Sequence, residues 1–318
     1  MTSFQKQEKI EVVVMEEGNS LVRRWEDLNI DMLVNIFQSF DLFQLISVIP
    51  QVCPAWQLAC SDQRLWKTLD LSVMQSNFIR IRAPPYVYVD TPSREKLTRI
   101  LKICLNLSRG NILTLIFHYN LYVDDNQLTY TAKRCPRLKR LVMPAWEKLE
   151  KQTICSAFHE WKDLESLTMP SLEEPAYVIE KIGRSCKKIS ELKIMASCDI
   201  LFASALVSFL PNLKVLSVRC TELSKHALVI LLEGLKKLKV LNISHCIITE
   251  DLPQPTPIKI LTKLDEPILE KASRLDKFLT CMSDSCIMCQ RIQNDEGFVR
   301  WYKYADLWKV DEVKSLAI

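Results

Sequence analysis

The chain has few glycines and few histidines for its length. Five glycines and four histidines in 318 residues leave no glycine-rich loop to hold a phosphate, and no Walker A, dinucleotide-binding or HExxH pattern occurs. No cysteine or histidine stands in a recognisable nucleophile motif. We therefore expect a protein that is not an enzyme and that needs no cofactor.

Long apolar runs and a strong excess of one charge are also missing. The net charge of +4 is too small to indicate a surface that binds nucleic acid or a membrane. The longest apolar segment, residues 200–210, has about half the length of a bilayer span. Residues 1–22, which we expect to be a flexible extension, are too charged for a signal peptide. We expect localisation to the cytoplasm, the nucleus or both, with no nucleic-acid or membrane partner.

Residues 23–71 have the pattern of three short helices. A stripe of apolar residues at i, i+3, i+4 and i+7 begins at Ile30, directly after Asn29, a good N-cap residue. Asp41 followed by Gln44 is a capping-box variant that would open a second helix. Together these signals predict a small helical head.

Pro54 suits the first turn of a third helix, where its missing N–H costs nothing. Three short helices make a small core. We therefore expect several apolar side chains of the head, Trp56 and Trp66 among them, to remain exposed for a partner helix.

This head resembles the F-box family, whose pattern has a hydrophobic first helix, a Val-Cys pair, a Trp and a Leu-Trp pair. Asn29 stands where the family usually has proline. The resemblance implies that residues 23–71 bind a Skp-type adaptor, which docks on a cullin that carries the ubiquitin-transfer machinery. An ordinary three-helix start of a helical domain would show the same periodicity. The expected adaptor-binding residues are Leu28, Ile30, Leu33, Ile36, Phe37, Val52, Cys53, Trp56, Leu65 and Trp66.

A short pattern, apolar-x-x-Leu-x-apolar, recurs about every 25 residues after the head. Two further segments, from Trp66 and from Ile112, fit the same template. One strand per unit at this period is typical of leucine-rich repeats, whereas unrelated αβ units would not keep the period. We expect an α/β solenoid over residues 72–250, with parallel strands on the concave side and helices on the convex side. The five regular starts are Leu138, Leu164, Ile189, Leu213 and Leu238.

Helices are predicted between these strands, and Gly183 and Gly234 lie near the expected helix ends. The template usually asks for Asn or Cys three residues after its last apolar position, and only Cys246 meets this spacing. The repeats are therefore irregular. The predicted helices are residues 147–160, 174–185, 200–210 and 223–235.

Alternate positions of each strand should face the open concave side of the solenoid. Their mixed charge favours a protein or peptide target over nucleic acid. The expected target-binding residues are Arg140, Val142, Ser166, Thr168, Glu191, Lys193, Val215, Ser217, Arg219, Val240, Asn242 and Ser244.

The order of head, irregular repeats and short tail resembles plant F-box proteins with leucine-rich repeats. The resemblance implies a non-catalytic substrate-recognition subunit of a Skp-cullin-F-box (SCF) E3 ubiquitin ligase, which binds an unknown target protein for ubiquitination. An alternative is an interaction adaptor that acts without ubiquitination.

Residues 251–318 should form a linker followed by a helical and aromatic cap. A helix is predicted over residues 267–281. The aromatic residues that follow either cover the edge of the last repeat, as a solenoid needs, or contact a substrate. These aromatic residues are Trp301, Tyr302, Tyr304 and Trp308.

Twelve cysteines, scattered through predicted helices and strands, indicate reduced thiols. Cys281, Cys286 and Cys289 are close enough in sequence to ligate zinc. A structural zinc site needs four ligands and the tail contains no histidine, so we expect packed thiols and no metal. A thiol or zinc protein that acts through these cysteines remains the second alternative function.

Overall fold

The computed structural model describes residues 25–74, 77, 79–80, 87–118, 121–144, 146–169, 174–194, 196–250 and 259–294. The predicted N-terminal extension up to residue 22 and the aromatic segment around Trp301 lie outside these residues. The helices are α1 (Ile30–Phe37), α2 (Pro54–Cys60), α3 (Thr91–Ser108), α4 (Asp125–Arg134), α5 (Lys151–Glu160), α6 (Pro175–Ser185), α7 (Ile200–Phe209), α8 (Lys225–Gly234), α9 (Glu266–Ala272) and α10 (Ile287–Asn294).

The strands are short, as one strand per repeat requires. They are β1 (Thr68–Asp70), β2 (Ile79–Arg80), β3 (Val87–Tyr88), β4 (Thr114–Ile116), β5 (Tyr122–Asp124), β6 (Arg140–Val142), β7 (Trp146–Lys148), β8 (Ser166–Met169), β9 (Glu191–Ile194), β10 (Val215–Ser217), β11 (Glu222–Ser224), β12 (Val240–Asn242), β13 (Ile247–Glu250), β14 (Lys259–Leu261) and β15 (Lys277–Leu279).

The predicted capping signals of the head are present. The side chain of Asn29 accepts a hydrogen bond of 2.9 Å from the backbone N–H of Asp31 at the start of α1. Asp41 and Gln44 exchange two side-chain-to-backbone bonds of 2.9 and 3.0 Å, which is the reciprocal pattern of a capping box.

The second helical segment of the head differs from a regular α-helix. Its turns are π-helical at Gln44–Val48 and then 3-10 at Ile49–Gln51. Pro50 lies inside it, and a proline ring clashes with the carbonyl of residue i−4 in a regular helix. The third helix, α2, begins at Pro54 as predicted.

One parallel sheet of eight strands runs through the chain in the order β1, β4, β6, β8, β9, β10, β12 and β15. Neighbouring strands pair without a register shift, so the middle residue of each strand pairs with the middle residue of the next. The middle leucines, Leu69, Leu115, Leu141, Leu167, Leu192, Leu216 and Leu241, are fully buried. The predicted α/β solenoid is confirmed.

Glycines let the helices that follow the strands approach one another closely. A Cβ atom at Gly183 in α6 would lie closer than 3.0 Å to backbone atoms of Phe209, the last residue of α7. A Cβ atom at Gly234, the last residue of α8, would lie equally close to the side chain of Val207 in α7. Gly183 thus lies near the end of α6, as the sequence indicated, and it also allows the close packing of α6 against α7.

Cys246, the predicted turn residue, satisfies a backbone carbonyl as the repeat template requires. Its thiol donates a hydrogen bond of 3.1 Å to the carbonyl of Val218 in the preceding repeat. In that repeat Thr221 occupies the corresponding position, and its hydroxyl bonds the same carbonyl at 2.7 Å. A threonine therefore replaces the expected Asn or Cys, since a hydroxyl can satisfy the same backbone group.

The sheet extends beyond residue 250, where the repeats were predicted to end. The helix predicted over residues 267–281 is wrong, because the helix α9 ends at Ala272 and the chain then forms β15. Phe278 pairs in register with Leu241, so the β12 edge of the parallel sheet receives one more strand. In the part of the chain that the structure describes, no helix combines the length and the apolar character that crossing a bilayer requires.

Candidate protein-interaction sites

The head exposes a high density of large apolar side chains. Seven of the seventeen exposed large apolar residues that the structure describes fall within residues 25–58. They lie on α1, on α2 and on the segments around them, which pack against one another. Exposed apolar side chains at this density mark an interaction surface. These seven, called the head patch, are Trp25, Ile30, Met32, Ile36, Val48, Val52 and Leu58.

The ten predicted adaptor-binding residues divide into three groups by exposure. Ile30, Ile36 and Val52 belong to the head patch, while Leu28, Cys53, Trp56 and Leu65 are half-buried. Leu33, Phe37 and Trp66 are buried in the core of the head. The expectation that Trp66 is exposed is therefore wrong, and these last three side chains support the surface without forming it.

The sequence pattern missed four exposed members of the head patch. Met32 and Leu58 are exposed by 56% and 63%, at least as much as Val52, the most exposed of the predicted residues at 56%, and Trp25 and Val48 are exposed as well. Met32 falls between the positions of the apolar stripe on α1. On an amphipathic helix such positions are normally polar, so an apolar residue there is the signal that identifies it.

Aromatic packing and hydrogen bonds hold the head rigid. The rings of Phe37 and Trp56 meet edge to face with their centroids 5.2 Å apart, which joins α1 to α2. The indole N–H of Trp66 donates a bond of 2.9 Å to the carbonyl of Cys60 at the end of α2. Interfaces on a preorganised scaffold lose less entropy on binding.

An arginine links the two ends of the head. The guanidinium of Arg64 donates bonds to the carboxylates of Asp31 at 2.7 Å and Asp62 at 2.8 Å. The hydrogen bond from Arg64 holds the pKa of Asp62 below its ordinary value. Because Arg64 and Asp31 are exposed to solvent, this network contributes little to stability.

The predicted target-binding residues lie on one face of the sheet. Ten of them occupy the first and third positions of their strands, and Arg219 and Ser244 lie two residues beyond the ends of β10 and β12. Alternation along a strand directs these positions away from the side of the buried middle leucines. We call the side opposite to those leucines the concave face. At the first positions of the strands, the side chains of Arg140, Glu191, Val215 and Val240 are half-buried. Asn242 and Ser244, at the β12 end of the concave face, are also half-buried.

Half of the predicted target-binding residues are less accessible than the sequence predicted. Lys193 is exposed by only 6%. The others that are buried are Val142, Ser166, Thr168, Ser217 and Arg219. Neighbouring strands in a parallel sheet lie about 4.8 Å apart, so side chains of a row cover one another. The half-buried first-position residues Arg140, Glu191, Val215 and Val240, called the first row, are therefore the part of this face most accessible to a partner.

The charges on the concave face are of both signs. Burial lowers the pKa of Arg140, and the nearby carboxylates of Glu191 and Asp70 act in the opposite direction. Thr168 is fully buried, and in the described part of the chain its hydroxyl has no hydrogen-bond partner. A surface with mixed charges and buried hydroxyls suits the polar groups of a peptide better than a row of phosphates.

The tail cysteines lie beside a histidine from the repeats. Atoms of Cys281, Cys286, Cys289 and His245 that can ligate a metal all lie within 4.8 Å of one another. The sequence favoured packed thiols because no histidine lies in the tail. His245 follows β12, and it reaches the cluster because β15 pairs with that strand.

Comparison with known proteins gives several relatives over most of the chain. An F-box/LRR-repeat protein of Arabidopsis thaliana is 54% identical over 298 residues, which cover 93% of this chain and 96% of the relative. F-box protein SKIP1 from the same plant is 23% identical over 73% of this chain and 81% of its own length. F-box protein FBW2, also from that plant, is 23% identical over 70% of this chain and 68% of its own length. No protein-family model matches the sequence.

Proposed function

Because this chain belongs to the family of F-box proteins with leucine-rich repeats, we propose that it is the substrate-recognition subunit of an SCF ubiquitin ligase. Proteins of this family are typically non-catalytic subunits of such ligases and bind a Skp-type adaptor. The head binds the adaptor, the concave face holds a target protein, and the assembled complex acts in the cytoplasm, the nucleus or both.

The head patch is the observation that carries this proposal. No element of the described chain covers the apolar side chains of the head patch. Such a surface on α1 and α2 suits a partner helix that lies across both helices. Ile30, Ile36 and Val52 match the family pattern and are exposed. The buried Leu33 and Phe37 keep the helices that carry them in place.

The role of the solenoid in the proposal is to position a target. A protein held on the concave face is brought near the ubiquitin-transfer enzyme, and proximity of the two reactants alone lowers the barrier to transfer. Glu191, Arg140 and Val215 in the first row offer contacts of different chemistry. A peptide that complements them is the kind of target we expect.

Co-purification tests the proposal and separates it from the alternative. The tagged full-length chain is isolated from plant cells and its partners are identified by mass spectrometry. We expect both an adaptor and a cullin with the native chain and neither with Leu58→Glu, since a charge in a desolvated apolar interface is costly. Leu201→Glu is the matched control, because Leu201 is similarly exposed but lies on α7, outside the head.

An adaptor without a cullin would favour the alternative, an interaction protein that acts without ubiquitination. Recovery of neither partner with the native chain would overturn the assignment. Proximity labelling with the Leu58→Glu variant then identifies targets, since proteins that the concave face binds should accumulate when they are no longer ubiquitinated.

A further inference from the structure

Three cysteines and one histidine converge at the last strand of the parallel sheet. His245 Nδ1 lies 3.3 Å from Cys289 Sγ and 3.6 Å from Cys286 Sγ. The sulfur atoms of Cys289 and Cys281 are 3.7 Å apart. Cys289 is buried and the other three side chains are half-buried, so the cluster lies just beneath the surface.

The repeat architecture places His245 in this cluster. Asn242, the last residue of β12, pairs with Leu279, the last residue of β15. The backbone N–H of His245 then donates a bond of 3.0 Å to the carbonyl of Cys281. His245 has a left-handed backbone with φ of 60°, and Cys220 at the corresponding turn of the preceding repeat has φ of 58°. The turn is thus a feature of the repeat, and here it carries a metal-ligating side chain.

The two remaining thiols come from the start of α10. The backbone N–H of Gln290 bonds the carbonyl of Cys286 at 3.0 Å, so Cys286 stands at the N-terminal end of the helix and Cys289 lies on its first turn. A Cys-x-x-Cys pair in this setting directs both sulfur atoms to one point. Cys289 also donates to the carbonyl of Cys281 at 3.2 Å.

We propose that His245, Cys281, Cys286 and Cys289 bind one zinc ion in tetrahedral Cys₃His coordination. Zinc prefers bonds of about 2.3 Å to sulfur and about 2.0 Å to nitrogen. A tetrahedron with those bond lengths separates its ligand atoms by roughly 3.5 to 3.8 Å. The distances of 3.3, 3.6 and 3.7 Å between ligand atoms are close to this range.

The ligand set defines both the metal and the role of the site. Three thiolates and one imidazole are soft ligands that favour zinc over magnesium or calcium. All four positions of the tetrahedron are filled by the protein, which is the arrangement of a structural site and leaves no open position for a substrate.

The ion ties the C-terminal segment to the repeats. Residues 281–294 follow the last strand, and among them Ile292 is fully buried. A zinc ion shared with His245 fixes this segment across the end of the sheet, where a solenoid needs a cap. Metal binding is then coupled to the stability of this cap.

A disulfide is the competing chemistry for these cysteines. The separation of 3.7 Å between the sulfur atoms of Cys281 and Cys289 exceeds the disulfide bond length of about 2.0 Å. A disulfide would also leave the imidazole of His245 without a chemical role, whereas zinc uses all four side chains.

Metal analysis of the full-length chain tests the proposal. The chain is purified with a phosphine reductant and without a metal-affinity column, and its zinc content is measured by mass spectrometry. We expect one zinc per chain, lost in Cys286→Ser and in His245→Asn. Asparagine tolerates the left-handed backbone at that position, so His245→Asn removes the ligand with little change in the turn. Cys155→Ser is the control, because Cys155 is an equally half-buried thiol on α5 and should not affect the zinc content.

X-ray absorption of the native chain gives a readout that needs no variant. We expect a first shell of three sulfur atoms at about 2.3 Å and one nitrogen at about 2.0 Å. A native chain that retains well under one zinc, variants that bind as much zinc as the native chain, or a Cys281–Cys289 disulfide in the freshly reduced protein would each overturn the proposal. Adaptor binding by the head is not affected by any of these results, so the two proposals fail separately.

Discussion

The thiols show how the surroundings of a residue decide its chemistry. Cys104, Cys135 and Cys186 are buried, whereas Cys53 and Cys155 are half-buried. Burial raises the pKa of Cys104, Cys135 and Cys186 to about 12, because a thiolate is poorly solvated inside an apolar core.

These thiols should make stability depend on alkaline pH. A group whose pKa is raised by folding stabilises the protein fully below its unfolded pKa, which is about 8.5 for cysteine, and loses that contribution as pH rises towards the folded value. Each such thiol should cost about 1.4 kcal/mol of unfolding free energy per pH unit above about pH 9.

Denaturant unfolding at pH 8 and pH 10, with reductant present, measures this effect. In Cys104→Ala the loss of unfolding free energy between the two pH values should be smaller than in the native chain by about 1.4 kcal/mol or somewhat more. Cys155→Ala is the comparison, since its thiol is only half-buried. An unchanged pH dependence in Cys104→Ala would contradict the assignment.

At the scale of elements, the close contact of α6, α7 and α8 depends on two glycines. Alanine is a better helix former than glycine by about 1 kcal/mol, so a substitution at an exposed helix position should stabilise. At Gly183 the added methyl group would meet the backbone of Phe209. The clash should outweigh the gain in helix propensity.

We expect Gly183→Ala to lower the free energy of unfolding by about 1 to 3 kcal/mol, the usual cost of overpacking. Ser185→Ala, two residues later at the end of the same helix, should stay within about 0.5 kcal/mol. Chemical denaturation followed by circular dichroism compares the two. Equal midpoints for both variants would mean that the helices are not packed as closely as described.

Besides the pairing of β15 with β12, an arginine bonds the segment before the last strand to the repeats. The guanidinium of Arg274 donates bonds of 2.6, 3.0 and 3.1 Å to the carbonyls of Leu232, Leu235 and Leu238, which lie in α8 and in the turn after it. Carbonyls at a helix end have no partner inside the helix. Arg274, which lies in the segment between α9 and β15, supplies the missing hydrogen-bond partner.

Arg274→Met keeps the side-chain stem and removes these bonds. We expect a loss of about 1.5 to 3 kcal/mol in unfolding free energy, as for hydrogen bonds to a charged group, and faster amide hydrogen exchange in β15. Lys277→Met is the matched control, since Lys277 is exposed on β15 itself. Slow exchange in β15 of the Arg274→Met variant would argue against this role.

For the whole molecule, the period of the leucine pattern was enough to predict the solenoid. Strand positions followed from the pattern because each repeat must place one buried leucine beside the previous one, as Leu192 and Leu216 do. The final strand escaped prediction because Phe278 follows Leu241 by 37 residues (278 − 241), which breaks the period. The burial of Lys193 was not predicted either, because the alternation along a strand gives the direction of a side chain and not its accessibility.

The metal-ligand cluster depends on the whole fold in the same way. His245 and Cys281 are 36 residues apart (281 − 245), and no local motif connects them. They meet because β12 and β15 pair. The head was predictable as a helical unit, but the apolar stripe of α1 includes both Leu33, which is buried, and Ile30, which is exposed, and the pattern could not separate these two.

The head patch is the surface that we propose binds a Skp-type adaptor. Titration calorimetry of the purified full-length chain with a purified adaptor measures this binding. Met32→Glu places a charge in the proposed interface at a side chain that the head's own core does not need, so the fold should survive. Leu33→Glu would not distinguish binding from folding, because Leu33 is buried.

We expect Met32→Glu to bind the adaptor at least a hundredfold more weakly than the native chain, as a loss of about 3 kcal/mol implies. Leu201→Glu, on α7, should bind as tightly as the native chain. Equal affinity of Met32→Glu and the native chain, or no measurable binding by the native chain, would contradict the account.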